Sequence, residues 1–422
     1  MLHRLTKLMV KIEYVLPLAV ALFFLTTAIT VIHYQDDFLP MTHQDQSWDN
    51  PAVGKKPPFH FSACLLIKDS NILLPEWLAY HYTRLPLRRL IVAVDPLSLT
   101  DPAPIFDEYA RIGLNTTIWQ FNTTGSQKLN ELDSSHGQAL LNEHRMRQRE
   151  FYSNCLKQLT SEWIQDHSNA KWALFIDVDE YLSFNHYEEG EGKPSHCRGD
   201  ATCIHDFDEG IKNGTHYRKR FGEFKTAAAY INEPMLDPHF YSNKTKPCIV
   251  ISRLLFPAKE TGLNGLPTLP SGLNASNFHT LRFRHRASVI EPQIGKSMVD
   301  LSRMRDYNIP SIHRLNNNCT SNNGWVHNSE MGFRVHHYVG TWESFRRPGF
   351  DSRGKRKFDE RNRVKALKLD TSIDTTWLTK FVNQVGIHRA LTLTQDFRMD
   401  AELEMLEKII MQTNNQNESI IE

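Results

Sequence analysis

The sequence predicts an α/β fold with a mainly parallel sheet flanked by helices, preceded by one N-terminal transmembrane helix. Three observations carry that expectation. Strand-like and helix-like segments alternate from Phe59 onward, the segment Trp172-Ala173-Leu174-Phe175-Ile176 is apolar throughout, and an uncharged apolar run occupies residues 15–32. Alternating periodicities are the signature of βαβ units. A strand with no polar face is buried on both sides, as in a sheet covered by helices.

The apolar run VLPLAVALFFLTTAITVI is 18 residues long, about 27 Å as a helix, against a bilayer core about 30 Å thick. Arg4, Lys7 and Lys11 precede it, and Asp36 and Asp37 follow. The positive-inside bias therefore leaves residues 1–14 in the cytosol and the rest across the membrane, a type II signal-anchor. A cleaved signal peptide is the competing reading, but the run is long for one and no small-x-small site ends it. Residues 33–58 are polar and contain Pro40, Pro51, Pro57 and Pro58, which reads as a stem. Seven N-glycosylation sequons, at Asn115, Asn122, Asn213, Asn243, Asn274, Asn318 and Asn417, agree with a lumenal Golgi or ER location. So does an even count of six cysteines, of which Cys197 and Cys203 bracket a candidate short disulfide loop. No CxxC pair exists to suggest zinc. With 49 basic and 48 acidic residues, nothing in the net charge of +1 points to a nucleic-acid partner.

The folded part begins near Phe59. FHFSACLLI reads as a strand, Pro75 to Tyr82 as a helix, RRLIVAV as a strand, PAPIFDEYARIG as a helix stopped by Gly113, and NTTIWQF as a strand. A long helix is expected over 137–165, with Leu141, Gln148, Tyr152, Cys155, Leu159 and Trp163 on one face. That face turns Gln148 inward, either as a satisfied structural amide or as a ligand contact. KWALFI follows as an interior strand. The stretch 186–217 reads as a surface excursion whose histidines show no ligand spacing, and TAAAYI and PCIVISRLLF read as later strands. Residues 346–363 hold eight basic and three acidic residues around Gly349 and Gly354, a loop that serves as a lid or is simply solvated. Residues 395–411 form an amphipathic helix.

The apolar strand ends in Asp177, Asp179 and Glu180. Unpaired buried charge is costly, so acids at the rim of such a strand need a partner. Ligands of open α/β sheets bind outside the carboxyl ends of the strands. Two acids spaced i and i+2 there place oxygens on one hard divalent cation, which offsets the cost. An EF-hand is excluded, because Leu182 stands where that loop needs glycine. A haloacid-dehalogenase-type phosphatase would use the first Asp as nucleophile, although Tyr181 occupies its Thr/Val position. Exposed carboxylates in an ordinary turn are the plain alternative.

The chain resembles glycosyltransferase family 92, of the GT-A type. The resemblance rests on CLLIKDSNILLPEWLAYHY (64–82), RQREFYSNCLKQ (147–158), WALFIDVDEYL (172–182), GKSMVDLSRM (295–304) with IPSIHRL (309–315), and HHYVGTWESF (336–345), in the family's order. It implies a Rossmann-like nucleotide-sugar domain over 59–365, with 366–422 as a helical extension. Asp177 and Asp179 would hold manganese against the donor diphosphate, with Glu180 lining the pocket and His337 a third ligand or a diphosphate contact. Gln148, Lys296 and His313 match positions around the donor and the acceptor or phosphate side of the cleft. The family carries a further acid after its first strand, where this chain has Ser70-Asn71, leaving Asp69 as the carboxylate assigned to the donor there. Family members invert the anomeric centre, which needs a carboxylate base; Asp206, Asp208, Glu209 and Glu233 are the candidates. The implied activity is transfer of a hexose, galactose among the possibilities, from a nucleotide-sugar donor to a glycan or glycoprotein acceptor. A non-catalytic glycan-binding protein of the same fold is the alternative.

Overall fold

The computed structural model describes residues 60–96, 98–120, 137–166, 171–184, 247–262, 266–287, 291–307, 309, 333–345, 354–363, 367–370 and 375–418. The tail, anchor and stem lie outside them. Among the described residues no helix is long and apolar enough to cross a membrane.

In chain order the elements are β1 (Phe61–Ile67), α1 (Leu74–Arg84), β2 (Leu87–Val94), α2 (Ala103–Ala110), β3 (Asn115–Gln120), α3 (Gly137–Asp166), β4 (Trp172–Phe175), β5 (Glu180–Phe184) and β6 (Cys248–Phe256). They continue with α4 (His279–Arg282), β7 (His285–Ala287), β8 (Glu291–Asp300), β9 (Phe333–Tyr338), α5 (Trp342–Phe345), α6 (Gly354–Asn362), β10 (Leu367–Leu369), α7 (Trp377–Val385), α8 (Ile387–Leu391) and α9 (Phe397–Glu418). The main sheet runs β3-β2-β1-β4-β8-β6-β9-β5, with β7 and β10 as a separate ribbon. The first four strands pair in parallel. Beyond β4 the pairings to β8, from β8 to β6 and from β9 to β5 are antiparallel, and only β6 with β9 is parallel. The sheet is mostly parallel, as expected, but its second half is mixed.

Period-two alternation explains why β1 and β4 are interior. Leu65, Ile67, Trp172 and Leu174 enter the core under α1 and α2, while Cys64, Leu66, Ala173 and Phe175 enter the core under α3. Each fully buried side chain of this size contributes about 1.5–3 kcal/mol. On α3, Phe151, Tyr152, Cys155, Leu156 and Leu159 are buried, so the predicted face is the one that packs. Cys155 is joined to Cys64 by a disulfide, tying α3 to β1. Cys248 is disulfide-bonded as well. Cys197 and Cys203 lie outside the described residues.

Residues 58–422 form one compact unit. Trp377, Leu378, Phe381 and Val382 of α7 lie in the same core as β1 and α1, with the Trp377 ring edge-on to Tyr80 at 5.6 Å. The Trp377 indole donates to Thr280 Oγ1 at 3.0 Å. The reason is coverage: α7 hides the aromatic face of α1. Part of the basic stretch is also helix rather than loop. α6 satisfies its own charges at helical spacing through Lys355–Asp359 and Arg356–Glu360, and it buries Phe358 against Trp342 and Phe345.

Candidate metal centre

β4 stops at Phe175, and Asp177, Val178 and Asp179 turn the chain into β5. The turn closes with the Glu180 N–H donating to the Asp177 carbonyl at 3.0 Å. Apolar neighbours anchor it, since Ile176 and Val178 are buried on either side of Asp177. Its backbone is held from outside as well. The Trp77 indole N–H of α1 donates to the carbonyls of Asp177 at 3.2 Å and Glu180 at 3.0 Å, and the Asp179 carbonyl accepts the Tyr338 N–H at 2.9 Å. His81, one turn along α1, supports the start of β5. Its Nδ1 lies 2.8 Å from the Trp77 carbonyl, and its Nε2 accepts the Leu182 N–H at 3.2 Å. One neutral tautomer satisfies both contacts. Burial pushes the His81 pKa down to about 3, so the ring stays neutral.

The three carboxylates differ in access. The Asp177 side chain is 39% exposed and that of Asp179 is 25%, whereas that of Glu180 is 1%. Each offers an oxygen within 4.8 Å of the others, a hard-oxygen set that fits a divalent cation. Glu180 fits less well than its neighbours. Its Oε2 accepts the Asp177 N–H at 2.9 Å and the Lys296 ammonium at 3.0 Å, and its Oε1 lies 3.5 Å from Arg253 Nη1 with no hydrogen bond. Glu180, which the resemblance placed in the lining of the pocket, opens β5 and is buried, held by these contacts.

Lys296, which the resemblance set on the acceptor or phosphate side of the cleft, is fully buried on β8, with its ammonium 2.5 Å from Asp177 Oδ2. Gly295 fixes its register. A Cβ there would fall 2.5 Å from Val250 Cγ1 and 2.7 Å from the Ile251 carbonyl, so β8 and β6 approach closely only with glycine. His337 is buried, with Nε2 3.3 Å from Asp179 Oδ2 and Nδ1 without a hydrogen-bond partner. Burial and nearby Arg253 hold its pKa below the usual histidine value against the pull of Asp179. It is placed to orient Asp179 through Nε2.

β1, β2 and β4 run parallel, so their carboxyl ends share one edge of the sheet. Asp69, after β1, is 2% exposed with a left-handed φ of 47°. Its Oδ1 accepts from Ser98 Oγ at 3.3 Å, Leu99 N–H at 2.5 Å and Thr100 N–H at 3.1 Å. That oxygen clamps the loop after β2, while Oδ2 is buried with no hydrogen-bond partner. Gln148 is half-buried on the α3 face that carries Tyr152 and Cys155. Its neighbour Arg147 pairs with Asp95 at 3.2 Å, directly after β2. Asp95 was legible and missed, for it ends an apolar strand as Asp177 does. His313, Asp206, Asp208, Glu209 and Glu233 lie outside the described residues.

No family model matches the chain, and no curated protein does. Among solved structures it is similar to S. aureus TarS 1–349, at 14% identity and a TM-score of 0.25 over 83% of this chain and 92% of that one. The same fragment in complex with UDP matches at 13% identity and 0.25, and in complex with UDP-GlcNAc at 12% and 0.26, each over 85% of this chain and 92% of the other. Likeness at that level carries no argument about chemistry.

Proposed function

We propose that the chain is a metal-dependent glycosyltransferase, similar to family 92, that moves a hexose such as galactose from a nucleotide-sugar donor to a glycan or glycoprotein acceptor with inversion. One observation carries the reading: two accessible carboxylates, two residues apart, on a turn whose backbone is pinned by Trp77 and Tyr338 at the end of an interior parallel strand. Such pinning keeps two like charges close where a loose turn would let them separate. Asp177 and Asp179 would hold the manganese ion, and His337 would fix the orientation of Asp179. The ion, when bound, neutralises charge developing on the leaving diphosphate. Asp206, Asp208, Glu209 and Glu233 are the residues among which the acceptor's base is to be sought.

We place the protein in the Golgi or ER membrane as a type II protein. The Cys64–Cys155 bond supports an oxidising compartment, and the exposed sequon residues Asn115 and Asn274 agree with a lumenal surface. The test is sugar release from a panel of nucleotide sugars with and without manganese. Slow release from one donor, only with metal, is expected. No release from any donor indicates a glycan-binding protein, and magnesium-dependent cleavage of a phosphomonoester indicates a phosphatase; either result refutes the transferase.

A further inference from the structure

We propose that Lys296 is a built-in counter-cation of this site, a positioning residue that keeps Glu180 out of the ligand set and sets how tightly Asp177 and Asp179 hold a divalent ion. The inference rests on the metal reading above and goes beyond it.

The Lys296 side chain has no solvent exposure, and its nitrogen lies 2.5 Å from Asp177 Oδ2 and 3.0 Å from Glu180 Oε2. A lysine this buried persists only when its charge is matched. Its ammonium lies at ion-pair distance from two carboxylates, which supply that match. Three carboxylates carry a charge of −3; Arg253 beside Glu180 offsets one unit of it and Lys296 a second. Attraction for a cation scales with this charge, so the lysine weakens metal binding while stabilising the metal-free turn.

The division of oxygens follows from geometry. Lys296 takes Asp177 Oδ2 from the inside of the sheet and leaves Oδ1 uncommitted, on a side chain that still reaches solvent. Glu180 Oε2 is saturated by Lys296 and the Asp177 N–H, and its Oε1 faces Arg253. The chain thus holds Asp177 and Asp179 at a spacing suited to a cation before any cation arrives. Binding then reverses easily, which suits a site that must release its diphosphate after each turnover.

The test is calorimetric titration of Mn2+ alone, with thermal unfolding in parallel, on wild type, Lys296→Met, Glu180→Gln and the double variant Lys296→Met/Glu180→Gln. The double variant removes the buried pair together and keeps the fold testable if Lys296→Met unfolds. Lys296→Met is expected to bind Mn2+ about tenfold or more tightly, to unfold at lower temperature without metal, and to gain more from added metal than wild type does. The double variant is expected to bind more tightly than Glu180→Gln alone. Binding by Lys296→Met and not by wild type refutes the metal reading for the native site, and the inference falls with it. If wild type binds Mn2+ and removal of Lys296 leaves affinity equal or weaker in both backgrounds, this inference fails while the metal reading stands. If no variant binds, the metal reading fails and takes the inference with it.

Discussion

In β3, β2, β1 and β4 every pairing is parallel, and consecutive strands are joined by helices that follow in order. In β8, β6, β9 and β5 the pairings are mixed, and the residues that meet come from far apart. Asp177 and Lys296 are 119 positions distant. The metal turn lies between these two regions, since β4 is the last strand of the first and β5 the edge of the second. The first half leads into the exposed carboxylates; the second supplies the groups around them, Lys296 against Asp177 and Glu180, Arg253 against Glu180, and His337 against Asp179. Position and charge balance are thus separate contributions, and substitutions can pull them apart.

Asp177→Asn and Asp179→Asn should show the largest effect. Each is expected to lower turnover about a hundred- to a thousandfold, as loss of one group that stabilises developing charge does. Their stabilities should differ. Asp179→Asn removes a like charge and should leave the Tm at or above that of wild type, whereas Asp177→Asn deprives Lys296 of a partner and should lower it. Equal Tm values in a thermal scan would show that the second half does not hold Asp177 as described.

The first half also carries the covalent tie. Cys64 and Cys155 close a loop with a sequence separation of 91, for which chain entropy predicts about 4–5 kcal/mol. Cys64→Ala with Cys155→Ala should therefore lower the unfolding free energy by several kcal/mol in denaturant melts. A loss under about 1 kcal/mol would mean that the packing of α3 suffices alone. Trp377→Ala comes next, at about 3–5 kcal/mol for a large buried ring, because α7 shares the core of the first half. If that variant melts like wild type, α7 does not contribute to that core as described.

The fold was legible where local pattern decides it. Apolar runs such as KWALFI and RRLIVAV, Gly113 as a stop and the face of α3 all announce themselves within one element. Asp177 and Asp179 were legible for the same reason, an apolar strand ending in acids. What was illegible depends on partners remote in sequence. Nothing near Lys296 indicates that its ammonium reaches Asp177, nothing near Cys64 selects Cys155 from five possible partners, and nothing near Glu180 shows that Lys296 and Arg253 meet its carboxylate. The placement of α7 belongs to the same class, since an amphipathic helix declares a buried face and not what buries it.

His81 links the halves through Trp77 and Leu182, and it gives a pH test. Its folded pKa, about 3, is far below the ordinary histidine value of 6.5. The unfolded chain therefore takes up a proton below about pH 6.5 that the folded one refuses, so this contribution is complete above that pH. It declines by up to about 1.4 kcal/mol per pH unit as the pH falls toward 3. His81→Gln should flatten the slope of stability against pH in that window. An unchanged slope would place the acid sensitivity elsewhere.

The smallest effect is expected on the exposed surface of α6. α6 is the structured part of the basic stretch that the sequence offered as either a lid or a solvated segment. Arg356 is 84% exposed and sits 3.7 Å from Glu360, which is 49% exposed, so water screens the pair and it contributes little. Arg356→Ala should change stability by less than about 0.5 kcal/mol and leave turnover as it is. The contrast with Lys296 is one of surroundings, not of charge: the same formal +1 does little in water and governs the site where water is absent. A fall in turnover of about tenfold or more, with unchanged stability, would mean that Arg356 meets the donor's phosphates during the reaction, and that the second half supplies a mobile cation as well as the fixed one.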